Sequence, residues 1–215
     1  MRKFADSFLN VLIRFSYEKL HLTPNEISTI GFITGVIAAT LVTTRSIGIG
    51  MCVLAISQII DGIDGGVARR YNLQSSKGQM LEILYDRSNE LMMFLALTTI
   101  GEVSLRMSLL AFVAILLITA IEPKSKFDPG FKRFVLYFGY IATVLFSLRG
   151  FEIAMHIIFF ANLFGFIIGT ILVDYRLQKE IDTQAIMRRN TELALRIPQP
   201  PDDPPTLLSK LFSWL

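Results

Sequence analysis

The most informative stretch of this sequence is Asp61-Gly-Ile-Asp-Gly-Gly-Val-Ala-Arg69, followed by Gly78, Glu82 and Asp86. It places four carboxylates in or beside two strongly apolar segments, where ionised side chains are costly and usually mark a functional site. The first two acids lie three residues apart and the last two lie four residues apart, so each pair shares one face of a helix. Acids this close repel one another unless cations neutralise them, and hard divalent cations take oxygen ligands. Two such helices meeting face to face predict a paired-metal carboxylate site.

The sequence around this motif is that of a polytopic membrane protein. Of its 215 residues 52% are hydrophobic, which is unusual for a soluble domain of this length. Six apolar stretches are long enough, or nearly so, to cross a hydrocarbon layer of about 30 Å as helices. They are Ile27–Thr44, Ile47–Arg69, Gly78–Ile100, Leu105–Ile121, Phe134–Leu148 and Ile153–Val173. We therefore expect an all-α integral membrane fold, a bundle of six transmembrane helices.

The distribution of positive charge predicts the orientation of this bundle. Seventeen of the 21 Lys and Arg residues fall in the N-terminus, the second and fourth loops and the C-terminal tail. Only Arg45, Arg106 and Arg149 fall on the other side. Because cytoplasmic loops are enriched in Lys and Arg, both termini and the acidic motif are predicted to lie at the cytoplasmic face.

The segment before the first span has features of a helix lying on the membrane surface. Phe4, Phe8, Leu12 and Phe15 recur at helical spacing within residues 1–21. We predict an interfacial amphipathic helix there, with an ordinary packing helix as the alternative. The stretch Thr23-Pro-Asn-Glu26 then resembles a helix start, with a threonine N-cap and proline at the first position.

Residues 22–174 form the predicted six-helix domain, and residues 175–215 form a predicted cytoplasmic tail. Tyr175–Leu195 can form a helix, and the proline-rich stretch Pro198–Pro205 is typical of a stiff linker. The final stretch, Leu207–Leu215, is short and amphipathic and suits a membrane interface, although a mobile tail is an equal alternative.

The acidic stretch resembles the signature of the CDP-alcohol phosphotransferases, Asp-x2-Asp-Gly-x2-Ala-Arg-x8-Gly-x3-Asp-x3-Asp. Seven of its eight fixed positions match, and the eighth is Glu82, where the family has Asp. The resemblance implies an enzyme of phospholipid biosynthesis, in which the hydroxyl of an acceptor alcohol attacks a CDP-linked donor such as CDP-diacylglycerol and CMP leaves. It also implies a pair of Mg²⁺ or Mn²⁺ ions, a homodimer, and a lipid bilayer rather than nucleic acid as surroundings.

The same resemblance assigns roles to single residues. The metal ligands are Asp61, Asp64, Glu82 and Asp86, and Asp86 is also the candidate catalytic base. The nucleotide-binding residues are Asn25, Asp61, Gly65, Arg69, Ser75 and Gly78. Gly65 and Gly78 let a nucleotide come close to the backbone, although close helix packing also favours small residues. Arg69 suits phosphate, or is an interfacial charge.

Basic residues on the cytoplasmic side predict an anionic acceptor. The candidate acceptor-binding residues are Arg87, Lys124, Lys126, Lys132 and Arg133. A pocket with this charge suits a polyol phosphate such as glycerol phosphate or inositol phosphate, and ordinary positive-inside charge is the alternative. The pair Asp86-Arg87 resembles the inositol-phosphate branch of the family.

Two other functions compete with an active transferase. Glu82 and the long tail motivate a catalytically weak or silent family member that binds nucleotide-lipid or acts as a membrane assembly partner. A cation transporter would need acids distributed across the membrane depth, whereas these acids cluster near one face. We favour a working enzyme because Asp61, Asp64 and Asp86 are all kept.

Overall fold

The structure, a computed structural model, describes residues 10–125 and 132–196, with Lys124 and residues 194–196 described by their backbone alone. Several predictions fall outside this range. They concern Phe4, Phe8, Lys126, the side chain of Lys124, the linker Pro198–Pro205 and the end Leu207–Leu215.

Six long helices make up most of the described residues, which include no β-strand. They are α1 Pro24–Thr43, α2 Ile47–Arg70, α3 Ser76–Thr99, α4 Leu105–Ser125, α5 Lys132–Phe146 and α6 Gly150–Arg196. Each helix coincides closely with one predicted apolar stretch, so the all-α prediction is confirmed. The helix ends agree with the predicted ends within four residues, except that α6 continues to Arg196.

Four of these helices are long and apolar enough to cross a membrane, taking only the described residues. They are Pro24–Thr43, Ile47–Arg70, Leu105–Pro123 and Gly150–Leu193. Helix α3 is not among them because its apolar run is interrupted by the charged residues that include Glu82, Asp86 and Arg87. Helix α5 has only 15 residues.

The predicted start of α1 is confirmed in detail. The backbone N–H of Thr23 donates to Glu26 Oε2 at 2.8 Å, and Thr23 Oγ1 accepts from the Glu26 N–H at 3.4 Å. Pro24 occupies the first helical position, where its missing N–H costs nothing. This capping box fixes the first turn of α1, which carries Asn25 and Ser28 toward the site described below.

One apolar core joins all six helices. Helix α1 packs against α2 and α3, which lie beside it with the acidic motif at their connected ends. Fully or almost fully buried members of the core include Val42, Leu54, Leu97, Ile115, Leu136 and Phe151. Many large apolar side chains on the other helix faces are exposed, as expected where a surface meets lipid.

A short N-terminal segment is attached to the end of α2. Residues 10–14 are α-helical and Phe15–Lys19 form a π-helical turn. Ile13 lies against Gly66, and the Tyr17 ring stacks on Tyr71 with ring centroids 4.1 Å apart. The Tyr71 hydroxyl donates to Glu18 Oε1 at 2.8 Å. The segment therefore packs against the end of α2, the helix that carries Asp61 and Asp64.

The chain divides into two compact units, Met1–Gly169 and Thr170–Leu215. The first contains the core and the candidate site. In the second, residues 170–196 are helical and mostly exposed. The helix predicted at Tyr175–Leu195 is thus present, but it belongs to α6 and is not a separate element.

Candidate active site

The two halves of the acidic motif meet around one arginine. Arg133, in the first turn of α5, donates from Nη1 to Asp61 Oδ2 at 2.8 Å and from Nη2 to Asp86 Oδ1. Asp61 lies on α2 and Asp86 on α3, so a single guanidinium joins one acid from each motif helix. The predicted face-to-face arrangement of these two acids is therefore present.

The other two acids are Asp64 and Glu82. Asp64 is buried, with 3% of its surface exposed, and it accepts hydrogen bonds from the Ser28 hydroxyl and the Gly65 N–H. Glu82 is exposed and lines both of the cavities described below.

The four acids are the type of ligand that binds a divalent cation. Within residues 10–125 and 132–196, no three His, Cys, Asp or Glu side chains are grouped closely enough to hold a metal ion. Asp61 and Asp86 face Arg133, and Asp64 faces Ser28. All four donors are carboxylates, the ligands that Mg²⁺ and Mn²⁺ prefer, and two of them converge on the Arg133 guanidinium. By chemical type, although not by their grouping in this structure, the donors fit such ions.

The outer cavity, of about 160 Å³, lies between the start of α1, the end of α2 and the start of α3. Five of the six predicted nucleotide-binding residues line it, and the sixth, Asp61, lines the inner cavity instead. The five are Asn25, Gly65, Arg69, Ser75 and Gly78. Ser28, Asp64 and Glu82 also face it, so this cavity lies next to the acids.

The glycines of the outer cavity leave room for its polar side chains. A Cβ at Gly78 would lie 3.2 Å from Asn25 Oδ1 and 3.1 Å from Ser75 Oγ. A Cβ at Gly65 would lie 3.2 Å from Arg69 Nη1. Ser75 also caps α3, since its hydroxyl oxygen accepts from the Gly78 N–H at 3.0 Å.

The inner cavity is narrow, about 30 Å³, and lies deeper among α1, α2, α3 and α5. Its polar lining includes Ser28, Ser57, Gln58, Asp61, Glu82, Asp86, Asn89, Glu90 and Arg133. Phe32 and Tyr85, whose rings stack with centroids 4.7 Å apart, form part of its wall. Ser28 and Glu82 line both cavities, which therefore adjoin at the acids.

A family model described as CDP-alcohol phosphatidyltransferase matches residues 21–167, about two thirds of the chain. This protein belongs to the CDP-alcohol phosphatidyltransferase family. It is thus a phosphatidyltransferase and an integral membrane protein, and the family depends on Mg²⁺ or Mn²⁺. No curated protein matches the sequence significantly.

Solved structures with the same fold come from Mycobacterium tuberculosis phosphatidylinositol phosphate synthase, PgsA1. The structure with CDP-DAG bound has a TM-score of 0.65 at 17% identity, covering 77% of this chain and 92% of that one. The structure in complex with manganese and citrate has a TM-score of 0.65 at 16% identity, with 77% and 88% covered. The apo form gives 0.56 at 18% identity, with 78% and 93% covered. At these identities the likeness shows the fold of the transferase.

The residues predicted to bind the acceptor have different surroundings in this transferase. Arg133 contacts the acids, whereas Arg87 Nη1 pairs with Glu90 Oε2 at 2.6 Å in a mostly buried position. Lys132 is buried, with 6% of its surface exposed. These cations are therefore interior groups, which is not what ordinary positive-inside loop charge predicts.

Sequence reasoning missed several polar residues of the inner cavity, among them Ser28, Ser57, Gln58, Asn89 and Glu90. For the two amides a signal was present. Gln58 precedes Asp61 by three residues and Asn89 follows Asp86 by three, so helical spacing places each amide on the same face as an acid.

Proposed function

We propose that this transferase moves a phosphatidyl-type group from a CDP-linked donor such as CDP-diacylglycerol to the hydroxyl of a polyol or polyol phosphate, and releases CMP for phospholipid biosynthesis. The observation that carries the proposal is the convergence of Asp61 and Asp86 on Arg133 in the inner cavity, which adjoins the outer cavity at Ser28 and Glu82. The fold shared with PgsA1, one structure of which has CDP-DAG bound, supports the choice of donor.

The outer cavity is the proposed nucleotide site. Asn25, Arg69 and Ser75 offer amide, guanidinium and hydroxyl groups to the cytidine and its phosphates. The proposed metal ligands are Asp61, Asp64, Glu82 and Asp86, and divalent ions bound there would neutralise the diphosphate and the leaving oxygen.

Asp86 is the proposed base. Its carboxylate takes the proton of the acceptor hydroxyl as the hydroxyl oxygen forms a bond to the β-phosphorus of the donor. The bond between that phosphorus and the bridging oxygen of the diphosphate breaks, and CMP leaves with the electron pair. The chain's contribution is to align the two oxygens and to hold the charges in place.

Arg133 has two successive partners in this proposal. It neutralises Asp61 and Asp86 before the ions bind, and afterwards it is free to pair with the phosphate of the acceptor. Arg87 and Lys132 lie near Glu90 in the same interior region and add positive charge there. This arrangement favours an anionic acceptor.

The membrane arrangement extends the same proposal. Six helices cross the bilayer, including α3 and the short α5. Several charged residues of these two helices line cavities and so avoid the lipid, namely Glu82, Asp86, Glu90 and Arg133. Both termini and the site lie at the cytoplasmic face, residues 1–21 lie on the membrane surface, and two copies of the chain form a homodimer.

Purified protein in lipid nanodiscs tests the function. CMP release from CDP-diacylglycerol is measured with Mg²⁺ or Mn²⁺ and with chelator, offering glycerol phosphate, inositol, inositol phosphate and serine in turn. We expect metal-dependent CMP release with a polyol or polyol phosphate. Saturable binding of CDP-diacylglycerol without CMP release for any acceptor would instead support the silent family member that Glu82 motivates.

A further inference from the structure

Two amide side chains of the inner cavity each have one buried atom without a hydrogen-bond partner among the described residues. They are Gln58 Nε2 on α2 and Asn89 Oδ1 on α3. A buried polar atom without a partner is costly, and native proteins keep few of them. The metal and nucleotide chemistry proposed above uses neither side chain.

Both amides lie at the same depth beneath the acids. Gln58 lies three residues before Asp61 on α2, and Asn89 lies three residues after Asp86 on α3. At a rise of about 1.5 Å per residue, each amide is about 4.5 Å along its helix from an acid. The amides thus form a second polar layer, one turn deeper in the bundle than the carboxylates.

The Asn89 amide lies against α1. A Cβ at Gly35 would collide with this amide, so the glycine leaves the space that the Asn89 side chain occupies. Below the amides the cavity is lined by Leu54, Met93 and Leu136. The amide layer is therefore bounded by apolar side chains on its deeper side.

The chemistry of this layer differs from that of the acids and Arg133. The atoms without partners are one neutral N–H donor, on Gln58, and one neutral carbonyl acceptor, on Asn89, and a hydroxyl group can accept from the first and donate to the second. Arg133 lines the same cavity of about 30 Å³ and spans its acids, so a movement of this side chain away from Asp61 and Asp86 would enlarge the space beside the amides.

We infer that Gln58 and Asn89 bind the non-reacting hydroxyl groups of a polyhydroxylated acceptor and thereby select which hydroxyl faces Asp86. The inference rests on the proposed function and deepens it, since it makes the two amides determinants of acceptor specificity. A simple monohydric alcohol would leave both amides unpaired and would therefore be a poor acceptor.

The test replaces each amide with an apolar side chain of similar size, as Gln58→Met and Asn89→Leu. The acceptor is whichever polyol or polyol phosphate supports CMP release by the wild type. We expect the KM for that acceptor to rise about tenfold for each variant while the KM for CDP-diacylglycerol stays within about twofold. The matched control is Asn162→Leu, because Asn162 is a buried amide with an unpaired Oδ1 that lines neither cavity.

A second measurement uses the wild type, so it does not depend on whether a variant folds. Analogues of the acceptor that lack one non-reacting hydroxyl are offered to the wild type, and we expect the kcat/KM of at least one to fall about tenfold or more. That penalty should shrink in whichever variant lacks the partner of the missing hydroxyl.

Four results would overturn the inference. An acceptor KM unchanged in both variants, or equal use of all the deoxy analogues, would mean that the amides contact only water. A parallel rise in both KM values would indicate a structural role. If the wild type released no CMP with any acceptor offered, the proposed function would be wrong, and the inference with it.

Discussion

The outer and inner cavities share Ser28 and Glu82, yet the sequence encodes them in different ways. The outer cavity is built largely from the signature and its flanking turn, and most of its lining residues could be named before the structure. The inner cavity is lined by acids of the signature together with residues from outside it, such as Gln58, Asn89 and Arg133. The signature thus encodes the acids and the outer cavity. The rest of the inner cavity comes from residues outside the signature, of which Gln58 and Asn89 lie at helical spacing from its acids and Arg133 does not.

Removing the inner-cavity acid that pairs with Arg133 from α3 should have the largest effect. We expect Asp86→Asn to lower CMP release about 100-fold or more, because the variant loses the proposed base and a metal ligand together. Turnover is measured with saturating Mg²⁺ and acceptor. Asp182→Asn, an exposed acid in the helix of the second unit, is the control. Near-normal turnover in Asp86→Asn would remove this residue from the chemistry.

Replacing Glu82, which lines both cavities, should have the second-largest effect. We expect Glu82→Gln to lower metal-dependent turnover at least about tenfold, since it removes a charged oxygen ligand and nearly keeps the shape. Glu82→Asp, which restores the residue of the family signature, should retain activity. Unchanged turnover in Glu82→Gln would exclude Glu82 from the metal site.

A substitution confined to the inner cavity should separate the two substrates. We expect Arg133→Ala to raise the acceptor KM about tenfold or more while the KM for CDP-diacylglycerol changes little, because the guanidinium is the proposed partner of the acceptor phosphate. Lys132→Ala should act in the same direction, and Arg149→Ala, an exposed arginine on the other predicted side, should not. Unaltered acceptor kinetics in both Arg133→Ala and Lys132→Ala would rule out binding of a phosphorylated acceptor by these two residues.

A substitution at the rim of the outer cavity should have the smallest effect. Ser75→Ala removes the N-cap of α3, worth about 1 kcal/mol of stability. We expect a modest loss of thermal stability and a few-fold rise in the donor KM, with no change in the acceptor KM. The control is Thr183→Ala, whose hydroxyl bonds only a carbonyl of its own helix among the contacts described. A larger effect on the acceptor than on the donor would contradict the division between the cavities.

The fold was predictable wherever a local signal existed. Apolar stretches located the six helices, and the Thr23 capping box gave the start of α1. A helix was predicted at Tyr175–Leu195, but its continuity with α6 was not, because apolar residues stop near Val173 while Leu, Gln, Lys, Glu and Arg continue. These residues are strong helix formers, so the helix persists after the apolar run ends.

The site was predictable in its chemistry and less so in its contacts. The spacing of the acids places each pair on one helix face, but no local pattern links Arg133 to Asp61 and Asp86, which lie 72 and 47 residues away in the chain. That pairing depends on where α5 begins relative to α2 and α3. Gln58 and Asn89 did carry a spacing signal, although it acquires meaning only once the cavity between the helices is known.

The central claim is that acids from α2 and α3 form one divalent-metal site between the two cavities. Its most direct test is Mn²⁺ binding to the purified protein, counted by electron paramagnetic resonance in the wild type, Asp61→Asn and Asp86→Asn. The account predicts saturable, EDTA-reversible binding in the wild type and an affinity at least about tenfold weaker in each variant. Equal Mn²⁺ binding by all three proteins would contradict it, because the ion would then be held somewhere else.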